Sequence, residues 1–266
     1  MTNNKPKVSV LMSVFNCQDY VGQAIESILS QTFKDFEFII IDDGSKDKTK
    51  DILLAWAEKD PRIKVVANPE NIGLTKSLNK AIKMAQGEYL ARQDADDVSL
   101  PERLEKQVDF LDNHQSVKLL GTFGYAIDKE GRILKKEILP TSSRRIKRAL
   151  IKMNPFFHTS VMIRKEILDR VGGYNEKFLV VQDYELWFRI LRIAEGENLP
   201  LFLVKKRHQP EMISFKRDRE QIKSIIFLKK GIIKKRDYPK LCYVYLLKSY
   251  FSLGCPSFLK KLFKKI

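Results

Sequence analysis

Residues Val8–Phe15 read VSVLMSVF, and this stretch decides the fold class. A strand with one wet face alternates apolar and polar residues, whereas this run is broken only by two serines. It reads as a strand covered on both faces, the situation of a parallel sheet between layers of helices. Working outward, the period changes: Val21, Ala24, Ile25, Ile28 and Leu29 recur within Tyr20–Gln31 as one face of a helix. The alternation then repeats. Glu37–Ile41 (EFIII) is a second buried strand, Asp47–Asp60 a helix and Arg62–Ala67 a third strand. Leu74–Gln86 is a third helix with Gly87 as its C-cap, and Glu88–Arg92 is a fourth strand. Pro101 stands where a first-turn proline belongs, opening a helix to about Asn113. Successive βα units predict an α/β fold with a parallel, doubly wound sheet.

The second half is less regular. Val117–Leu139 reads as two strands around Lys129-Glu130-Gly131, Phe157–Arg164 as another strand, and Asp183–Ala194 as a helix. The chain of 266 residues carries a net charge of +16, and 44% of it is hydrophobic, which excludes a disordered protein. From residue 205 onward there are 18 Lys and Arg against 4 Asp and Glu, so +14 of the charge lies in the last quarter. No apolar run is long enough for a membrane span, and Met1–Lys7 is short and polar, unlike a signal peptide. Cys17, Cys242 and Cys255 form no CxxC pair and read as reduced packing residues of a cytosolic protein.

Two acidic clusters stand at strand ends: Asp42-Asp43-Gly44-Ser45 after the second strand and Asp94-Ala95-Asp96-Asp97 after the fourth. Ligands of open α/β sheets bind beyond the carboxyl ends of the strands. Clustered carboxylates repel one another unless a cation or proton neutralises them. Hard divalent cations such as Mg²⁺ or Mn²⁺ take one or two such carboxylates together with phosphate oxygens. Alone, each cluster is also an ordinary turn or helix cap; as a pair at neighbouring strand ends they point to a phosphate-bearing ligand.

The ordered set Val8–Asn16, Ile39–Thr49 (IIIDDGSKDKT), Asn71-Ile72-Gly73, Gln93–Asp97 (QDADD), Pro155–Arg164 (PFFHTSVMIR), Gly172-Gly173-Tyr174 and Gln182–Arg189 (QDYELWFR) resembles family 2 glycosyltransferases with the GT-A fold. The match spans roughly the first 200 residues. The resemblance implies an inverting transfer of one sugar from a nucleoside-diphosphate sugar, UDP preferred, to a hydroxyl of a glycan or lipid-linked acceptor in cell-surface polysaccharide synthesis. It places Ser13 and Phe15 at the base pocket, Asp43 on the nucleobase with Asp42 supporting the turn, and Asp94 with Asp96 on ribose and metal-diphosphate. Asp97 would share the Mn²⁺ or Mg²⁺ with Asp96. His158 borders the donor site, and His208 is a further metal ligand carried over from a compressed Arg207-His208 element. Asp183 matches the family's general base, which takes the acceptor proton; by itself it also reads as a helix N-cap. Trp187 is a core aromatic or a platform for a sugar.

The implied organisation is a catalytic domain over residues 1–213, with a nucleotide-sugar half to about 100 and an acceptor half beyond, and a basic amphipathic helical tail over 214–266. Lys pairs alternating with Ile, Leu and Phe in that tail suit an anionic membrane surface, hence a peripheral location on its cytoplasmic face. No nucleic-acid motif accompanies the charge. Two readings compete. Asp94-Ala95-Asp96-Asp97-Val98 fits the DxDxV pattern of haloacid-dehalogenase-type phosphatases, although those carry it on the first strand. A non-catalytic adaptor, binding membrane or RNA on a transferase fold, is the other.

Overall fold

The computed structural model describes residues 5–208, 218–234 and 245–247. Strands β1 (Val8–Val14), β2 (Phe36–Asp42), β3 (Ile63–Ala67) and β4 (Tyr89–Arg92) run parallel in the order β3-β2-β1-β4. Helices α1 (Val21–Leu29), α2 (Thr49–Lys59) and α3 (Leu74–Met84) form the crossovers. Every residue of β1 and β2 is buried, and their alternate side chains feed two separate cores. Val8, Val10, Met12, Phe38 and Ile40 pack with Ala24, Ile25 and Ile28 of α1. Leu11, Ile39 and Ile41 pack with Leu78 and Ala81 of α3. This is why the strands read as continuous apolar runs: neither face is left for water.

Beyond β4 come β5 (Val98–Ser99), α4 (Arg103–Asn113), β6 (Val117–Ile127), β7 (Ile133–Glu137), α5 (Ser143–Ala149) and β8 (Met162–Arg164). They are followed by α6 (Lys165–Val171), α7 (Gln182–Leu191), β9 (Glu195–Arg207) and α8 (Asp218–Lys234). The sheet continues from β4 as β8-β6-β9-β5, with β7 paired to β6. Here the doubly wound expectation gives way: β8 is antiparallel to β4 and β6, while β9 is parallel to β6. Pro200 and Leu201 fall between the paired residues Leu199 and Phe202, so the proline sits in a ladder irregularity, one of the few places a strand tolerates it. Among the described residues no helix is long and apolar enough to cross a membrane. The greater part of the expected tail lies outside the described residues; α8 is the helix seen from it.

Three local expectations are corrected. Gly87 does not cap α3, which ends at Met84 with Ala85 extended. A β-carbon on Gly87 would stand 2.5 Å from the Ser9 nitrogen, so glycine is required by the close approach of two backbones. Pro101 precedes the N-cap residue Glu102 of α4 instead of opening its first turn. Within Phe157–Arg164, His158–Ser160 is a 3-10 turn and only Met162–Arg164 is strand.

At the amino end of the sheet, buried Glu37 accepts hydrogen bonds from Ser9 Oγ (2.6 Å), Lys64 Nζ (2.7 Å) and Gln86 N (2.8 Å). Burial alone would push its carboxyl up, but these donors and the Lys64 charge outweigh it and hold the pKa below the usual range. A carboxyl with a depressed folded pKa lends stability that is full above its unfolded pKa, about 4.3, and is lost as pH falls through the folded value. Glu37→Gln is therefore expected to cost about 1–2 kcal/mol at pH 7. The gap in Tm between parent and variant should close as the pH is lowered below 4. A gap that stays constant with pH would show that Glu37 acts by packing alone.

Candidate active site

The parallel register brings Val14 level with Asp42, so the ends of β1 and β2 and the turn after β4 open on the same edge. Ser13 is nearly buried at that edge, and Phe15 stands 44% exposed just past it. Asp42 Oδ1 accepts the Ser45 N–H (3.1 Å) and closes the turn. Gly44 has φ 76°, and a β-carbon there would lie 2.7 Å from the Glu70 carbonyl carbon. The turn is thus pressed against the loop leading to α3, and Asp43 is what binds that loop. Its Oδ1 accepts Asn68 Nδ2 (2.8 Å), Ser77 Oγ (2.9 Å) and Ile72 N (3.0 Å), and its Oδ2 accepts Gly73 N (2.9 Å). The two motifs Asp42-Asp43 and Asn71-Ile72-Gly73 are in this way one structure. Only Oδ2 of Asp43 keeps room for a further donor.

Asp94, Asp96 and Asp97 share the turn after β4. Asp94 pairs with Arg92 Nη2 at 2.5 Å and donates its backbone N–H to Thr159 Oγ1 (3.2 Å). Burial would raise the Asp94 carboxyl, but Arg92, His158 and Lys206 together hold it below the usual range. Asp96 behaves oppositely: burial and the Asp94 charge push it up to about 6. Asp97, 2% exposed, is pushed up by burial and by both neighbours. Its Oδ1 accepts the Arg207 N–H at 2.8 Å, which docks β9 beneath the turn. Three carboxylates in one turn with a single ion-paired partner form an anionic oxygen set still lacking positive charge, the donor chemistry of a hard divalent cation. Among the described residues no three His, Cys, Asp or Glu side chains form a closed metal cage.

Arg207 does not reach outward over this set. Its guanidinium is buried and donates to Asp96 O (3.0 Å), Asp128 O (2.8 Å), Lys129 O (2.8 Å) and Gln23 Oε1 (2.7 Å). His208, the next residue, turns to Glu137 of β7 at 3.9 Å; the structure does not gather it with Asp96 and Asp97 into a metal-binding group.

On the other side of Asp94, His158 Nε2 meets Tyr174 Oη at 2.7 Å. Burial and the Arg92 charge lower the His158 pKa, opposed by the negative charges of Asp183 and Asp94. His158 thus lies within the field of both carboxylates and links the two halves of the edge. Asp183 is the second residue of α7, not its cap: the cap position is Val181, held at φ 55°. A β-branched residue in that region is strained and persists only where the surroundings demand it. Asn154 Nδ2 donates to Asp183 Oδ2 at 2.6 Å, and the carboxylate is half-buried. Trp187 is core, fully buried edge-on to Phe156 (5.7 Å) and His158 (6.2 Å). Sequence reasoning missed Asn154 and Arg92, and quoted Tyr174 in the Gly172-Gly173-Tyr174 motif without giving it a role. Of the two missed, only Arg92 carried a signal, as a charge closing an otherwise apolar strand.

The glycosyl transferase family 2 model matches residues 9–172. An uncharacterized glycosyltransferase of Methanocaldococcus jannaschii is 40% identical over 209 residues, 77% of this chain and 71% of that protein. The putative glycosyltransferase EpsE of Bacillus subtilis is 38% identical over 219 residues, 81% of this chain and 77% of its own length. Among solved structures, S. aureus TarS in complex with UDP-GlcNAc superposes with TM-score 0.73 at 21% identity, covering 92% of this chain and 73% of the other. The mannosyltransferase PcManGT from Pyrobaculum calidifontis, in complex with GDP-Man and Mn²⁺, gives 0.67 at 17% identity, covering 95% and 71%. The phosphatase reading falls away with these matches. An α/β sheet of this order, acidic turns at its carboxyl edge, and relatives along most of its length have one common meaning: the chain belongs to glycosyl transferase family 2, and it is a glycosyltransferase of the GT-A fold.

Proposed function

We propose that the protein moves one sugar, with inversion, from a UDP-linked donor to a hydroxyl of a glycan or lipid-linked acceptor in cell-surface polysaccharide synthesis. The observation that carries this reading is the pairing of an under-neutralised carboxylate turn, Asp94–Asp97, with a separate half-buried carboxylate, Asp183, across His158. The first suits a metal-diphosphate, the second an attacking hydroxyl. TarS with UDP-GlcNAc and PcManGT with GDP-Man and Mn²⁺ hold donors of this class in the same fold, which supports it.

Mn²⁺ or Mg²⁺ would be held by Asp96, whose carboxylate has no side-chain partner among the described residues, with Asp97 offering its second oxygen. When bound, such a cation offsets the charge that grows on the departing diphosphate. Asp94, kept ionised by Arg92, accepts from the ribose in this reading. Ser13 and Phe15 wall the base pocket, Asp43 Oδ2 is the acceptor left for a base N–H, and His158 borders the sugar. Asp183 takes the acceptor's proton as its oxygen attacks the anomeric carbon from the face opposite the diphosphate. The basic segment beyond residue 213 forms the appendage that keeps this chemistry at the cytoplasmic face of an anionic membrane.

Calorimetric titration of UDP, GDP and dTDP, each with Mn²⁺ and with EDTA, tests the donor and the metal together. UDP is expected to bind in Mn²⁺ and to weaken at least about tenfold in EDTA, the scale of 1.4 kcal/mol. Equal affinity in both conditions would remove the cation from the mechanism. Preference for GDP would replace the donor.

A further inference from the structure

Between Arg132 and Lys152 the chain carries eight Lys and Arg against one acid, Glu137. The same segment raises large apolar side chains into solvent: Ile133 is 55%, Leu134 59% and Ile138 70% exposed, and Met153 just after it 49%. Among the described residues strand β7 pairs with β6 alone, and Ile133 through Lys136 are all exposed. Helix α5 turns Ile146 inward and Arg144, Arg145 and Arg148 outward. None of these three arginines makes an ion pair among the described residues.

Single exposed aliphatics are ordinary on a protein surface. Aliphatics set beside the unpaired arginines of α5 are not, because those cations demand an anionic partner and the aliphatics a dry one. Arg132 and Lys135, which flank the aliphatics, are already paired with Asp128 and Glu130 and with Glu137. The C-terminal segment carries +14 and a second copy carries this same surface, so like charge disfavours both as occupants. A nucleic acid would satisfy the arginines but leave Ile133, Leu134 and Ile138 in water. An anionic bilayer interface satisfies both demands at once. We propose that β7 and α5 form a docking surface for anionic lipid, separate from the basic C-terminal segment.

Its position gives the docking a purpose. Asn198 of β9 fastens the β7–α5 connection through Pro140 O (2.7 Å) and Thr141 O (3.0 Å). Met153 adjoins Asn154, which holds Asp183. A lipid-linked acceptor rising from that surface would reach the edge on the Asp183 side. This last step rests on the role of Asp183 proposed above; the surface itself does not.

The full chain is to be floated with vesicles of phosphatidylcholine alone and of phosphatidylcholine with phosphatidylglycerol. Binding is expected only to the second. Replacing Arg144, Arg145 and Arg148 by Gln should lower the partition coefficient about 100-fold, since each basic residue near an anionic leaflet contributes about fivefold. Ile133, Leu134 and Ile138 changed together to Ser should weaken it as well, and Leu134→Trp should blue-shift its emission on the anionic vesicles. UDP binding by all three variants should match the parent, which separates a lost surface from a lost fold. Parent-like flotation of both triple variants would overturn the proposal, as would RNA binding without vesicle binding. A parent chain that docks through this surface yet binds no nucleotide would uphold the proposal and sink the catalytic reading instead.

Discussion

Asp183→Asn is expected to lower kcat by about 10³-fold while leaving the nucleotide dissociation constant within about twofold, because proton removal by a positioned base contributes 10²–10⁴. The structure makes this a clean substitution. Asn154 Nδ2 donates to one carboxylate oxygen at 2.6 Å, and an amide oxygen accepts the same bond. The side chain therefore keeps its place at the start of α7, with Val181 still fixing the entry of the helix. What disappears is the second oxygen's capacity to take a proton. The nucleotide site proposed above, at Asp94–Asp97, lies on the other side of His158 and keeps all its side chains in this variant. A variant that turned over within about tenfold of the parent would sink the assignment of Asp183 as base. A parallel loss of nucleotide affinity would assign it to the donor instead.

The parts of the fold legible in the sequence are those whose physics is local. β1 and β2 announce themselves because burial on both faces leaves no polar alternation, and α1 because its core face recurs at helical spacing. β9 was not legible: Pro200 and the charged ends Glu195 and Lys205–Arg207 spoil the strand pattern, and its pairing with β6 reaches across some eighty residues. The acidic turns were legible as chemistry, since two clusters of carboxylates at strand ends repel and call for a cation or proton to neutralise them. Their internal division of labour was not. Nothing local says that Asp43 is tied to the backbone of Ile72 and Gly73, or that Asp97 docks Arg207 while Asp96 has no side-chain partner among the described residues. Arg207 shows the same limit in reverse. The sequence offers Arg207 as part of a compressed Arg207-His208 element at the ligand, yet its guanidinium is buried on carbonyl oxygens from Asp96, Asp128 and Lys129. Long-range contacts to backbone leave no mark on either partner's side chain.

Arg103 is the buried residue whose loss should cost most. Arg103→Met is expected to destabilise the protein by about 4 kcal/mol, lowering Tm by about 10 °C. Its fully buried guanidinium donates to Arg92 O (2.6 Å), Ser99 Oγ (2.7 Å), Gln93 Oε1 (3.1 Å), Gln107 Oε1 (3.2 Å) and Val161 O (3.4 Å). It thereby ties α4 to the end of β4, to both flanks of the Asp94–Asp97 turn, and to the residue before β8. No carboxylate bonds to it, and burial with the nearby Arg92 charge pushes its pKa down to about 9. Methionine fills much of the space but leaves several buried acceptors without donors, at about 1–3 kcal/mol each before relaxation. Arg103→Lys should recover less than half of the loss, because one ammonium cannot span five acceptors set around a planar fork. The metal-dependent affinity for nucleotide should fall as well, measured far below the melting range, since Gln93 and Ser99 frame the carboxylate turn. Glu37→Gln supplies the contrast, for it sits at the opposite end of the sheet and should cost stability without touching affinity. If Arg103→Met melted within about 2 °C of the parent, the arginine would not be the tie described. If it lost stability but bound nucleotide as tightly as before, the turn would be held by the Arg92 and Arg207 contacts alone.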